Sequence, residues 1–189
     1  MIKWTLIAVA GVLGTATLVG AADTKTGGRM HDPADVTFIN DAAKGGLMEV
    51  ELGKMAQEKA ASTDVKAFGQ RMVDDHSKAN ERLRAIAQEH GVTLTESLPR
   101  QQQQTVDHFA KLDGQAFDRA YMSAMVKDHV EDVAKFKREA GRPAQTPAKE
   151  FAADTLPTLE EHLQMAKSTA AKVGAGSTGP RSHRKHASR

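Results

Sequence analysis

The chain of 189 residues contains no cysteine, one tryptophan and few aromatic residues in all, 4% of the total. Without cysteine, a disulfide scaffold and a lipoprotein anchor are both excluded. The scarcity of aromatic residues argues against a sheet protein, because strands are enriched in aromatic and β-branched side chains. Hydrophobic residues make up 40% of the chain, with much Ala, Lys, Glu, Gln and Met. This composition predicts an all-α protein with one core.

Several catalytic signatures are missing as well. The sequence has no Ser-His-Asp order, no glycine-rich phosphate loop and no His-Glu-x-x-His motif. Nucleophilic and phosphoryl-transfer chemistry therefore have no support in the sequence.

Residues 1–22 have the pattern of a secretory signal peptide. Lys3 supplies the positive start, residues 4–19 are uncharged and apolar, and Ala21-Ala22 offer a small-residue cleavage site. We expect cleavage after Ala21 or Ala22 and export to the periplasm or cell envelope, with no transmembrane span afterwards. The apolar run is shorter than the roughly 20 residues that span a bilayer, so an uncleaved anchor is the lesser alternative.

The two ends of the mature chain are polar. Residues 23–34 resemble a linker, and residues 174–189 are rich in Gly, Ser and basic side chains. We expect this tail to be disordered, either as a solvated end or as an adhesive segment for anionic envelope polymers or lipid. Nucleic acid is not expected, because an exported protein seldom meets it. Residues 23–171 carry 20 basic and 24 acidic side chains, although the whole chain has a formal net charge of +2.

Four long helical patterns lie between these ends, in a predicted bundle spanning residues 35–173. We place the helices at 35–61, 64–90, 115–140 and 147–173, with a short extra helix within 98–112. Pro157 is expected to kink the last helix or to split off its beginning. The connection 91–114 is long enough to cross the bundle, so an up-down-up-down topology and a long-crossover topology both remain open.

Each long helix carries one ionisable residue on its inward face and near its midpoint. The four residues are Glu49, His76, His129 and His162. Burying such groups without partners costs several kcal/mol, so they must pair, hydrogen-bond or bind a metal. Three imidazoles and a carboxylate suit one transition-metal ion, Zn, Fe, Mn or Cu. The alternatives are a metal-free polar layer and side chains that do not converge.

Other residues lie beside these four positions. Asp132, one turn after His129, could be a further ligand or could orient an imidazole. Asp75, Asp128 and Glu161 are about 100° round their helices from the neighbouring histidines, so we expect them to flank the site. Two methionines, Met72 and Met125, lie one turn before His76 and His129 and are either core residues or thioether ligands of a copper site.

Four ordered motifs carry a family resemblance over about residues 35–170. They are FINDAAKGGLMEVELGKMA (38–56), DVKAFGQRMVDDH (64–76), FDRAYMSAMVKDH (117–129) and LPTLEEHLQMA (156–166). The chain resembles a family of exported bacterial ferritin-like proteins of unknown function, often labelled outer-membrane proteins. The resemblance implies a ferritin-like four-helix bundle and an envelope location. The Glu-x-x-His pairs of ferritin-like di-iron enzymes are absent, since Val73, Val126 and Leu159 stand three residues before the histidines.

Three functions remain open at this stage. The first is a binding protein that holds one transition metal at the midplane for sequestration or stress protection. The second is an enzyme, a mononuclear metal oxidase or a peroxidase-like catalyst, which the missing motifs disfavour. The third is a metal-free envelope interaction or structural module. Neither the metal nor the oligomeric state follows from the sequence.

Overall fold

The computed structural model describes residues 32–175, which form five helices and no strand. The helices are α1 (Pro33–Lys59), α2 (Thr63–Glu89), α3 (Arg100–Phe109), α4 (Gly114–Ala140) and α5 (Pro147–Lys172). The four long helices begin and end within two residues of their predicted limits. The predicted signal peptide, most of the linker and all of the basic tail after residue 175 lie outside the described residues.

Local sequence signals account for the beginnings of two of these helices. The Asp32 side chain accepts a hydrogen bond from the backbone N–H of Ala34, and the Thr146 hydroxyl accepts one from Lys149. Each cap is followed by a proline in the first turn, where the missing N–H costs nothing. The predicted split at Pro157 is wrong, because α5 continues through this residue. Buried residues on both sides of it, such as Phe151 and Leu159, anchor the helix to the core.

Contacts at the helix ends give the direction of each helix. The Asp118 carboxylate accepts hydrogen bonds from the backbone N–H groups of Ala61 and Ser62, at 3.1 and 3.0 Å, so α4 begins beside the turn between α1 and α2. Arg142, just after α4, contacts Asp32 and Asp35 at the beginning of α1. Helix α4 therefore runs parallel to α2. The connection that contains α3 returns along the length of the molecule, as in the long-crossover alternative.

The long helices pack as two close pairs, α1 with α2 and α4 with α5. Gly53 and Gly69 allow the first pair to approach, since a Cβ atom on Gly53 would lie 2.7 Å from the Gly69 carbonyl oxygen. Two apolar clusters fill the interior. The first includes Phe68, Met72 and Tyr121, and the second includes Phe38, Phe136 and Phe151. On each long helix the residues of the two clusters are separated by the position of the predicted ionisable residue. Among residues 32–175, no helix combines the length and the apolar character needed to cross a bilayer.

Candidate metal centre

The structure brings together the four ionisable side chains that the sequence placed at the helix midpoints. All are buried, with exposed fractions of 2% for Glu49, 7% for His76, 0% for His129 and 1% for His162. One carboxylate oxygen of Glu49 lies 3.0 Å from Nδ1 of His76, and the other lies 3.6 Å from Nε2 of His129. The centroids of the three imidazole rings are 5.4 to 5.9 Å apart. We call these four residues the Glu–His cluster.

Each imidazole has one ring nitrogen in close contact with an oxygen and one without a hydrogen-bond partner in the described chain. Nδ1 of His129 donates to the carbonyl oxygen of Met125, and Nε2 of His162 donates to a carboxylate oxygen of Asp75, both at 2.9 Å. Because these acceptors carry no proton to give, the opposite nitrogens, His129 Nε2 and His162 Nδ1, hold lone pairs. In the described part of the chain, these two atoms and His76 Nε2 have no hydrogen-bond partner. One ring nitrogen from each histidine lies within 4.8 Å of one from each of the others.

Burial keeps the histidines of the cluster neutral. Burial and, to a smaller extent, the neighbouring His162 lower the pKa of His129 to about 4, although the hydrogen bond to the Met125 carbonyl opposes the shift. Burial also lowers the pKa of His76, reinforced by the other two imidazoles, and that of His162. It raises the pKa of Glu49, assisted by the charges of Asp132 and Asp128. A charged Glu–His ion pair is thus disfavoured, and the neutral imidazoles are in the form that binds metal ions.

Asp75 flanks the cluster and contacts a histidine of a different helix from its own. It accepts from His162 of α5 and also pairs with Arg71 of α2. Burial raises its pKa, but the hydrogen bonds from Arg71 and His162 outweigh this effect, so the pKa lies below its ordinary value. Glu161 is 66% exposed and reaches Arg71 at 3.4 Å. Asp75 therefore orients an imidazole, whereas Glu161 lies at the periphery.

Asp128 and Asp132 lie on α4 and line a groove together with Glu49. Asp132 pairs with Lys135 at 3.4 Å, and its pKa is raised by burial. Burial and the charges of Asp132 and Glu131 raise the pKa of Asp128 to about 6. Both aspartates line a groove that ends at Glu49. The two residues thus lie beside the cluster, and neither pairs with a histidine among residues 32–175.

The two methionines flanking the cluster belong to the apolar core. Met72 and Met125 are both fully buried in the first apolar cluster. They pack among Phe68, Tyr121 and Leu52. This packing agrees with the first of the two predicted alternatives, that both methionines are core residues. The Met125 backbone nevertheless contributes, because its carbonyl fixes the orientation of His129.

Two polar residues near the cluster were missed from the sequence. Asn80 and Tyr121 are buried, and each has a side-chain oxygen without a hydrogen-bond partner among the described residues. Burial and the nearby charge of Glu49 raise the pKa of Tyr121. Spacing offered a signal for both, since Asn80 follows His76 by four residues and Tyr121 precedes His129 by eight. Gly46 leaves the room that Asn80 occupies, because a Cβ atom there would collide with the amide.

The fold and the site together define an all-helical protein with three buried histidines and a buried glutamate at its centre. A family model described as Domain of unknown function (DUF4142) matches residues 20–169, and the chain belongs to this family. A comparison with curated proteins gives no match.

The fold is similar to that of a solved structure. It is described as the "putative secreted protein DUF305 from Streptomyces coelicolor", and it is 15% identical in sequence with a TM-score of 0.65. The match covers 78% of this chain and 97% of the other. At this identity the likeness concerns the fold alone.

Proposed function

We propose that this protein is an exported metal-binding protein that holds one transition-metal ion in the Glu–His cluster, for sequestration or stress protection. Two observations carry the proposal: the three buried histidines have ligand atoms within 4.8 Å of one another, and each has one ring nitrogen without a hydrogen-bond partner in the described chain. Buried polar atoms are nearly always hydrogen-bonded, so three unpartnered ones at one place indicate a missing ligand.

The donor atoms fit such an ion. His76 Nε2, His129 Nε2 and His162 Nδ1 would bind it, and the unpartnered oxygen of Glu49 would be a fourth ligand. Three nitrogens and one oxygen suit Zn²⁺, or Fe, Mn or Cu with added water. The hydrogen bonds that Met125 and Asp75 accept would fix the orientation of two of the rings.

The proposal also includes the fold and the export of the protein. The two helix pairs and the long connection containing α3 are compatible with a ferritin-like four-helix bundle. The pattern of residues 1–22 favours export, and the related structure is described as that of a secreted protein. Because no Glu-x-x-His pair accompanies the histidines, we propose a single ion rather than a di-iron centre.

Metal analysis of untagged protein tests this function. We expect close to one ion per chain after reconstitution with Zn, Fe, Mn or Cu. Replacing a ligand should weaken binding by at least about 100-fold, more than the loss of a residue that only orients a ligand. The variants are His129→Gln and His162→Gln, in which the amide preserves part of the side-chain volume. The exposed His108 of α3 supplies the control, and His108→Gln should bind like the unchanged protein.

Two outcomes would contradict the proposal. Negligible metal after reconstitution with all four ions would leave the cluster as a metal-free polar layer. Equal loss in His108→Gln would show that binding does not involve the cluster. Circular dichroism of each variant separates a lost ligand from a lost fold.

A cavity beside the cluster favours a second candidate, the metal-dependent oxidase or peroxidase-like enzyme. It has room for about 20 Å³ and is lined by Glu49, His76, Asn80 and apolar residues that include Leu83 and Phe151. That volume accommodates one water-sized molecule near polar atoms. We expect azide to perturb the absorption spectrum of the Co²⁺-loaded or Cu²⁺-loaded protein. Turnover of peroxide or oxygen that depends on the bound metal would then establish the enzyme, and its absence would leave the binding protein.

A further inference from the structure

An acidic groove opens on the surface between α1 and α4, beside the Glu–His cluster. It has a volume of about 240 Å³ and carries the carboxylates of Asp41, Asp128, Glu131 and Asp132. Two lysines line it as well. Each lysine is paired within the groove, Lys44 with Asp41 and Lys135 with Asp132, both at 3.4 Å. The groove thus has more negative than positive charge.

Glu49 forms the inner end of this groove. It lines the groove and also the cavity that contains His76, and Asp132 does the same. Glu49 is 2% exposed, and one of its carboxylate oxygens has no hydrogen-bond partner in the described chain. A buried oxygen that lacks a hydrogen-bond partner, at the end of an acidic groove, can bind a cation that arrives from the surface.

Two further oxygens along the groove are available to an ion. Asp128 forms no ion pair with another residue of the described chain, although it is half-buried. Gln102 of α3 lines the same groove, and its buried Oε1 has no hydrogen-bond partner within residues 32–175. Carboxylate and amide oxygens bind hydrated divalent cations weakly enough to release them. The imidazole nitrogens beyond Glu49 bind divalent ions of the transition metals more tightly than these oxygens do.

We propose that this acidic groove is the entry route by which a hydrated divalent transition-metal cation reaches the Glu–His cluster. Asp128 and Asp132 attract the cation, and Glu49 passes it to the histidines. The inference rests on the proposed function, because it requires that the cluster bind a metal. It adds a role for α4 carboxylates that do not contact the histidines.

The rate of metal uptake tests this route. Metal-free protein would be mixed with Co²⁺, and the absorbance of the bound ion followed by stopped flow. In Asp128→Asn/Asp132→Asn we expect the association rate constant to fall about tenfold at low salt, because a negatively charged cleft accelerates cation encounter. The difference should shrink at about 0.5 M NaCl, where charges are screened. The amount bound at saturation should stay the same, and release to a chelator should change by less than about twofold.

The control removes two carboxylates from elsewhere. Asp74 and Glu81 are exposed on α2 and do not line the groove, so Asp74→Asn/Glu81→Gln changes the net charge equally. We expect it to load at the rate of the unchanged protein. An equal fall in the control would attribute the effect to net charge and overturn the route. The single variant Asp128→Asn, which loses no ion pair, provides a second test if the double variant does not fold.

The possible failures are distinguishable. If the unchanged protein binds no Co²⁺, the proposed function and the route fail together. If it binds Co²⁺ at the same rate with and without the groove carboxylates, only the route fails. Faster release with unchanged uptake would make Asp128 or Asp132 a ligand of the bound ion and would also overturn the route.

Discussion

Two polar clusters are buried in this molecule, and they differ in how their charges are balanced. At one end, Arg142 contacts Asp32, Asp35 and Glu139, so a fixed cation faces all three carboxylates. At the centre, the Glu–His cluster contains no arginine or lysine. Its histidines are neutral, and each has an unpartnered nitrogen.

The difference indicates which cluster is structural. A buried carboxylate needs a partner of opposite charge, and the Arg142 cluster supplies it from its own chain. The Glu–His cluster has ligand atoms for a cation, and none of its four residues is an arginine or a lysine. A chain that places an arginine beside Asp35 has instead placed the imidazoles of His76 and His129 beside Glu49. We infer that the first cluster stabilises the fold and that the second is arranged for a ligand.

Removing Arg142 should have the largest effect on stability. In Arg142→Met the buried carboxylates of Asp35 and Glu139, 0% and 6% exposed, lose their cation. We expect the melting temperature to fall by about 10 °C. The fall should be the same with and without added metal, because Arg142 itself supplies the positive charge that pairs with these carboxylates. Thermal denaturation followed by circular dichroism measures it, with Arg119→Met on the exposed side of α4 as the control. A loss that metal restores would erase the distinction between the clusters.

Acid should act mainly on the Glu–His cluster. Burial holds the pKa of His129 at about 4, against 6.5 in the unfolded chain. Between these values the unfolded chain binds a proton that the folded state does not. The stability is therefore full above pH 6.5 and falls as the pH decreases, by about 2 kcal/mol at pH 5. Asp32, whose pKa is lowered by its bonds with Ala34 and Arg142, loses its contribution only below its ordinary value of 3.8.

Urea unfolding in the presence of a chelator at pH 7.5 and 5.0 measures this effect. Glu49 and Glu139 act in the opposite sense, because burial raises their pKa values and the folded state then binds the extra proton. The contribution of His129 is therefore the difference between the unchanged protein and His129→Gln. If both lose the same stability between the two pH values, His129 is not the group that titrates.

The sequence allowed the helices and the four central residues to be predicted, because both follow from helical periodicity. Glu49, His76, His129 and His162 fall near the midpoints of helices that run the full length of the molecule, so one level brings them together. The partner of Asp75 could not be predicted, since it depends on how α2 and α5 are rotated about their axes. The acidic groove could not be predicted either, because the position of Gln102 depends on the course of the connection between α2 and α4. The split at Pro157, one of the two predicted alternatives, does not occur because packing on both sides of this residue holds α5 together.

The smallest predicted effect concerns Asp75. Comparing it with Glu161 distinguishes a residue that orients a metal ligand from a residue that only lies near the cluster. In Asp75→Asn the amide oxygen still accepts a hydrogen bond from His162, but without the negative charge that makes the imidazole a stronger ligand. We expect metal affinity to fall about tenfold. Glu161→Gln is the matched control, because Glu161 is exposed and pairs with Arg71. The metal affinity of this variant should change by less than about twofold. Competition against a chromophoric chelator measures both. Equal affinities in the two variants would show that the bond between Asp75 and His162 contributes only to the fold.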